Sequence, residues 1–90
     1  MNPNPLELRP GFKRVPALEK CFAILQFFAK SKEPLGITDI SKALSYNKSS
    51  VFNIVYTLAD LGILEHGRDN KFRFGTQLYV LGRAAIGGRN

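Results

Sequence analysis

The chain has 90 residues, 44% of them apolar, with 13 Lys and Arg against 7 Asp and Glu. That length allows one small domain, and that apolar fraction excludes an unfolded, low-hydrophobicity chain. A net charge of +6 and a pI near 9.8 suit a polyanionic partner, either nucleic acid or an anionic membrane surface, and equally a soluble protein that is merely basic.

Residues 1–14 hold Pro3, Pro5, Pro10 and Gly11 with little periodicity and read as a flexible basic tail. Lys13 and Arg14 at its end either touch a phosphate or stay solvated. The tail has no apolar stretch of the signal-peptide kind, and no apolar run in the chain approaches the ~18–20 residues that span a bilayer. A cytoplasmic, nucleoid-associated location is the expectation that follows.

A first helix is predicted over Pro16–Lys30, with Pro16 at a position where its missing N–H is not needed. Leu18, Cys21, Phe22, Leu25, Phe28 and Ala29 recur at steps of three and four and form its inner face. Ala17, Ile24 and Phe27 widen the apolar surface past the single stripe that a small domain buries. That surplus marks Ala17, Ile24 and Phe27 as a dimer contact, or as the seat of a C-terminal helix. Cys21 is the only cysteine, so no intramolecular disulfide forms and paired cysteines cannot hold zinc. In an apolar stripe it reads as a small buried hydrophobe.

After a turn over Ser31–Pro34 comes a short extended piece, Leu35–Gly36–Ile37. Thr38 is the predicted N-cap of a second helix, Asp39–Leu44, whose inner side is Ile40, Ala43 and Leu44. Ser45 and Tyr46 make a turn. Asn47 then caps a third helix, Lys48–Leu61, and Gly62 stands where a left-handed stop is expected. Strands follow at Ile63–His66 and Phe72–Phe74, joined by turn residues over 67–70. Gly75 and Thr76 open a last helix from about Gln77, with Leu78, Leu81 and Ala85 on its apolar side. The predicted fold is mainly α with a small β-wing. It is a winged helix-turn-helix with a three-helix core, a two- or three-stranded antiparallel sheet and a C-terminal linker helix. Its parts are the tail at 1–14, the winged helix-turn-helix domain at 15–75 and the start of the linker helix at 76–90.

The third helix divides by angle. Val51, Ile54, Val55, Leu58 and Leu61 share one arc, the core side. The opposite arc holds Ser49, Phe52, Asn53, Tyr56 and Asp60, with Ser50 and Thr57 on one flank and Lys48 on the other. A face that desolvates against base edges carries little unpaired charge. Phe52 and Tyr56 on it either pack on a thymine methyl or fold back against the second helix or the wing. Asn53 is the candidate for direct base reading, since an amide pairs bidentately with adenine. Asn47, Lys48, Ser49 and Ser50 bring free N–H groups, hydroxyls and a Lys to a helix start, which favours a phosphate. Arg68, Lys71 and Arg73 in the hairpin either straddle a backbone, enter a minor groove, or stay solvated.

With these residues placed, the chain resembles the N-terminal DNA-binding domain of the IclR family of bacterial transcription regulators. The resemblance lies in VPALEKCFAILQFFA, LGITDISKAL, NKSSVFNIVYTLADLGILE and FRFGTQLYVLG, in that order and spacing, over about Val15 to Ala85. It implies a dimeric repressor or activator bound to a palindromic operator. It also implies a C-terminal domain that binds a small-molecule effector, which would make this chain a fragment of a longer protein. Lys48, Ser49, Ser50 and Thr57 match the family pattern as DNA-contacting positions. The family more often has His or Tyr followed by Arg where this chain has Phe52–Asn53, a pair suited to adenine rather than guanine.

A winged-helix module for protein assembly is the alternative function, because the fold serves both uses. The basic wing and the Asn47–Ser50 start favour DNA. An enzyme is the remote third reading: no catalytic residue, metal site or cofactor is expected. His66 falls on a predicted strand beside the wing turn, a surface or sheet-edge position.

Overall fold

Val15 is extended and Pro16 supplies the first helical φ, so the chain enters α1 (Pro16–Lys30) without losing a needed donor. The structure, a computed structural model, describes residues 11–88. Most of the predicted tail therefore lies outside the described residues. Of its end, Arg14 donates from Nε to the Glu19 carboxylate, both largely exposed. Ser31 returns to extended backbone and stops α1, its N–H bonded to the Phe27 and Phe28 carbonyls.

Ile24 and Phe28 are the buried residues of α1, with Cys21, Leu25 and Phe27 packed partly against them. The predicted face was therefore rotated. Leu18 and Phe22, placed inside by the sequence, are 67% and 62% exposed. At about 100° per residue they stand roughly 120–160° round the helix from Ile24. Ile24, assigned to a dimer contact, is fully buried and unavailable to a partner. Phe27 is half-buried on the core, and only Ala17 of that trio is exposed. The reason is compositional: FAILQFFA is apolar on nearly every side, so periodicity alone does not choose an arc.

α2 (Ile37–Leu44) starts two residues before the prediction. Thr38 is inside the helix, and the N-cap is Gly36, whose N–H donates to the Asp39 carboxylate at 2.8 Å. Ile40 is buried and Leu44 partly so, while Ala43, expected inside, is exposed. Ser45 takes a left-handed conformation (φ 57°) and ends the helix, and the Tyr46 carbonyl accepts from the Ser41 hydroxyl at 2.7 Å. This tight turn leads into α3 (Lys48–Asp60), which buries Val51, Val55 and Leu58. Ile54 is half-buried, and Leu61, expected on the core side, is 61% exposed just past the last turn.

The stop after α3 is a Schellman arrangement. The Ile63 N–H bonds to the Leu58 carbonyl at 2.9 Å and the Gly62 N–H to the Ala59 carbonyl at 3.0 Å. Gly62 has φ 80°, where glycine has no steric penalty. Its carbonyl then accepts the Gln77 N–H at 3.0 Å. A Cβ on Gly75 would collide with that same oxygen. The two glycines thus let the start of the last helix lie against the end of α3.

β1 (Leu64–His66) and β2 (Phe72–Phe74) pair antiparallel in the register Leu64 with Phe74, Glu65 with Arg73 and His66 with Phe72. Leu35 adds a single-residue third strand, exchanging both backbone bonds with Phe72 at 3.0 and 2.7 Å. Leu64, Phe72 and Leu35 point into the helical core and close it. α4 (Thr76–Gly87) leaves the sheet from Gly75 and packs mainly on β1. It buries no residue, so Leu81 and Ala85 do not form the internal face expected of them. The fold is a winged helix-turn-helix, mainly helical, as the sequence predicts. None of the described helices is long and apolar enough to cross a membrane.

Candidate nucleic-acid interface

Asn47 positions the start of α3. Its Oδ1 accepts from the Ser49 N–H at 2.8 Å, the Ser50 N–H at 3.4 Å and the Ser49 hydroxyl at 2.6 Å. Capping therefore uses the Asn47 carbonyl and two of the amides that an anion would otherwise find there. Lys48 beside them is exposed and carries the charge of this helix start.

One turn on, the Phe52 and Tyr56 rings pack at 4.4 Å between centroids, tilted 38° to one another. Tyr56 is half-buried and meets two wing rings edge-on, Phe72 at 5.3 Å and His66 at 5.3 Å. His66 lies flat on Phe72, 4.2 Å away and 7° from parallel. In its Nε2–H tautomer the imidazole donates to Asn70 Oδ1 over 3.0 Å. These contacts tie the wing to the outward side of α3, and Tyr56 packs on the wing. Phe52 remains half exposed.

Lys48, Ser49, Phe52, Asn53 and Tyr56 line one open groove. Its far walls are Gly36, Ile37 and Thr38 at the start of α2, and Asn70 at the wing tip. The Asn53 carboxamide makes no hydrogen bond among the described residues; only its backbone carbonyl is engaged, by the Thr57 hydroxyl at 2.6 Å. Thr38 and Asn70 were not named as site residues from the sequence. The signal for Asn70 was its place in a turn: it adopts φ 62°, a conformation that Asn tolerates. For Thr38 the signal was hidden by the misplaced start of α2.

Two sequence candidates face elsewhere. Thr57 lines a second, apolar groove on the α1 side of α3, with Ala17, Leu18, Cys21, Ile54 and Leu61; Asn53 stands between the two grooves and lines both. Arg73 stands on the outer face of the hairpin, opposite Glu65, and donates from Nη2 to Asp69 at 2.8 Å. Asp69 also accepts the Lys71 N–H at 3.1 Å. That hydrogen bond first, with the Arg73 charge, holds the Asp69 carboxyl below its ordinary value. Arg68 and Lys71 are exposed at the wing. Burial pushes the Cys21 thiol up. Among the described residues no three His, Cys, Asp or Glu side chains gather as metal ligands.

The IclR helix-turn-helix domain matches this chain over residues 17–68, from α1 to the wing turn. The chain belongs to the IclR helix-turn-helix family. The HTH-type transcriptional regulator KdgR of Dickeya chrysanthemi is 32% identical over 73 residues, which cover 80% of this chain and 24% of KdgR. The chain thus spans about a quarter of the length of that relative. The crystal structure of the Agobacterium tumefaciens repressor BlcR superposes with a TM-score of 0.70 at 26% identity, covering 78% of this chain and 28% of BlcR. An IclR transcriptional regulator from Alicyclobacillus acidocaldarius superposes with a TM-score of 0.77 over 81% of this chain and 30% of its own, at 21% identity, a likeness of fold alone. In this IclR-type domain α2 and α3 are the helix-turn-helix pair, and the groove lies along the outward side of α3.

Proposed function

We propose that this IclR-type domain binds double-stranded DNA in a sequence-specific manner and so regulates transcription, with α3 in the major groove and the wing against the flanking backbone. One observation carries this reading. The outward side of α3, the start of α2 and the wing tip converge on one groove, in which the Asn53 carboxamide has no protein partner. Lys48, Arg68 and Lys71 are exposed on α3 and the wing, as phosphate contacts require. The protein works as a homodimer on a palindromic operator in the cytoplasm. The exposed Leu18 and Phe22 of α1 and the unburied apolar side chains of α4 supply surface for a second copy, and two-fold symmetry is the rule for such dimers. Half-sites then lie roughly 34–36 Å apart, one helical turn, or a multiple of that. In this reading α4 begins a linker to a further domain that takes a small-molecule effector; the matched segment is 24% of KdgR and 28% of BlcR.

The test is selection of binding sites from a random DNA pool with the purified chain. A recovered palindrome supports the whole reading. A chain that enriches no sequence, and whose retention on heparin vanishes at modest salt, is a protein-assembly module instead.

A further inference from the structure

We propose that Phe52 reads the C5-methyl group of a thymine, so that each half-site contains a T·A pair recognised through that methyl. The proposal rests on the DNA-binding reading above and specifies what α3 recognises. Phe52 is 50% exposed in the groove and is absent from the packed core, which closes without it. Its ring nevertheless has a fixed seat. Tyr56 fills the space behind it at 4.4 Å, and Tyr56 is itself braced by the edge-on contact with Phe72, a ring that is 1% exposed. The aromatic series Phe52–Tyr56–Phe72 runs from the groove to the core, so the outermost ring cannot fold inward.

Around that ring stand the polar side chains of Lys48, Ser49, Asn53, Thr38 and Asn70, together with Ile37 and Tyr56. The site therefore presents an exposed apolar ring, backed by Tyr56, beside hydrogen-bonding groups. Among the donors and acceptors of the major-groove base edges, the methyl at C5 of thymine is the one apolar group. A ring held outward has that methyl as its matching partner, and 5-methylcytosine carries the same methyl at the same position. Asn53, next in the chain, suits adenine. Adjacent side chains that read an adenine and a thymine methyl make an A·T-rich half-site.

Deoxyuridine isolates this contact, because it keeps the pairing and the O4 acceptor of thymine and removes only the methyl. Each thymine of the selected half-site is replaced in turn by deoxyuridine, and affinity is measured for the wild-type chain and for Phe52→Ala, whose helical circular dichroism and unfolding midpoint are checked first. One position is expected to weaken wild-type binding about three- to fivefold, the worth of one methyl removed from water. The Phe52→Ala chain should bind the thymine and deoxyuridine sites alike. Placing 5-methylcytosine rather than cytosine at that position should restore part of the affinity lost when the T·A pair becomes C·G. Specific binding with no deoxyuridine-sensitive thymine overturns the proposal, and so does a sensitivity that persists in Phe52→Ala. If the pool yields no selected site at all, the DNA-binding reading falls and this proposal falls with it.

Discussion

Asn53 and Phe52 occupy neighbouring positions on α3 yet face opposite physical problems. An amide without a protein partner gains from any complementary edge, and an exposed ring gains from losing water. Replacing Asn53 by Ala should cost about 1–3 kcal/mol on the selected site and leave binding to random DNA nearly unchanged; equal losses on both would make Asn53 a backbone contact. At the wing the informative residue is Asp69. Its carboxyl is held below its ordinary value of 3.8 by the Lys71 N–H and the Arg73 charge. A carboxyl with a depressed folded value stabilises the wing turn above the unfolded value, and that contribution disappears as pH falls through the folded one. The turn should stay ordered at pH 6 and loosen under acid, below the usual carboxylate range. Amide exchange over 67–71 measures this, and Asp69→Asn should remove the acid dependence. No such dependence in the wild-type chain would mean that the carboxylate does not hold the turn.

Among the elements, α1 gives the sharpest lesson. The sequence located its ends, because Pro16 and the switch to polar residues at Lys30 are local signals. It placed Phe28, Cys21 and Leu25 on the inner side but set Leu18 and Phe22 there in place of Ile24, because Leu18 and Phe22 are as apolar as Ile24. The contact with α2 and α3 selects the arc. Ile24→Ala should therefore destabilise the chain by about 2–5 kcal/mol, whereas Phe22→Ala, in a dilute monomer, should stay within about 0.5 kcal/mol. Urea unfolding of both variants decides it; comparable losses would return Phe22 to the core. α2 shows a related limit. Thr38 has the chemistry of an N-cap, but Asp39 reaching back to the Gly36 N–H starts the helix earlier. α3 was legible on its buried side at Val51, Val55 and Leu58, and Asn47 was legible as its cap, since one side chain and two nearby amides suffice.

For the whole molecule, the +6 charge matters through where it sits. Each phosphate contact removed should lower the magnitude of the salt slope by about 0.9. Neutralising Lys48, Arg68 or Lys71 should show this on random DNA. Arg73→Ala should change the slope less, since Arg73 faces the outer side of the hairpin and pairs with Asp69. A larger effect at Arg73 than at Lys48 would move the electrostatic footprint off the groove. Assembly is tested by sedimentation at high concentration. The wild-type chain should associate, if weakly, and Phe22→Glu should abolish it. Association unaffected by Phe22→Glu would place the contact on α4 alone.

The sequence by itself determined the order of elements, the entry to α1, the cap of α3 and the turns, because those depend on residues within a few positions of one another: Pro16, Asn47, Gly62 and the hairpin over 67–70; the family was legible from four blocks in order over about Val15 to Ala85. Tertiary structure decided which of two apolar arcs of α1 is inside, which side chains of α3 share a groove, and how the wing is held. It joined Phe52, Tyr56, His66 and Phe72 into one aromatic series across two elements. It also set Thr57 toward the groove on the α1 side of α3 and paired Arg73 with Asp69. The physical reason is the range of the interactions. Capping and turn formation act within about one helical turn, whereas the choice of a buried face depends on what another element brings to it, and nothing in the local period records that.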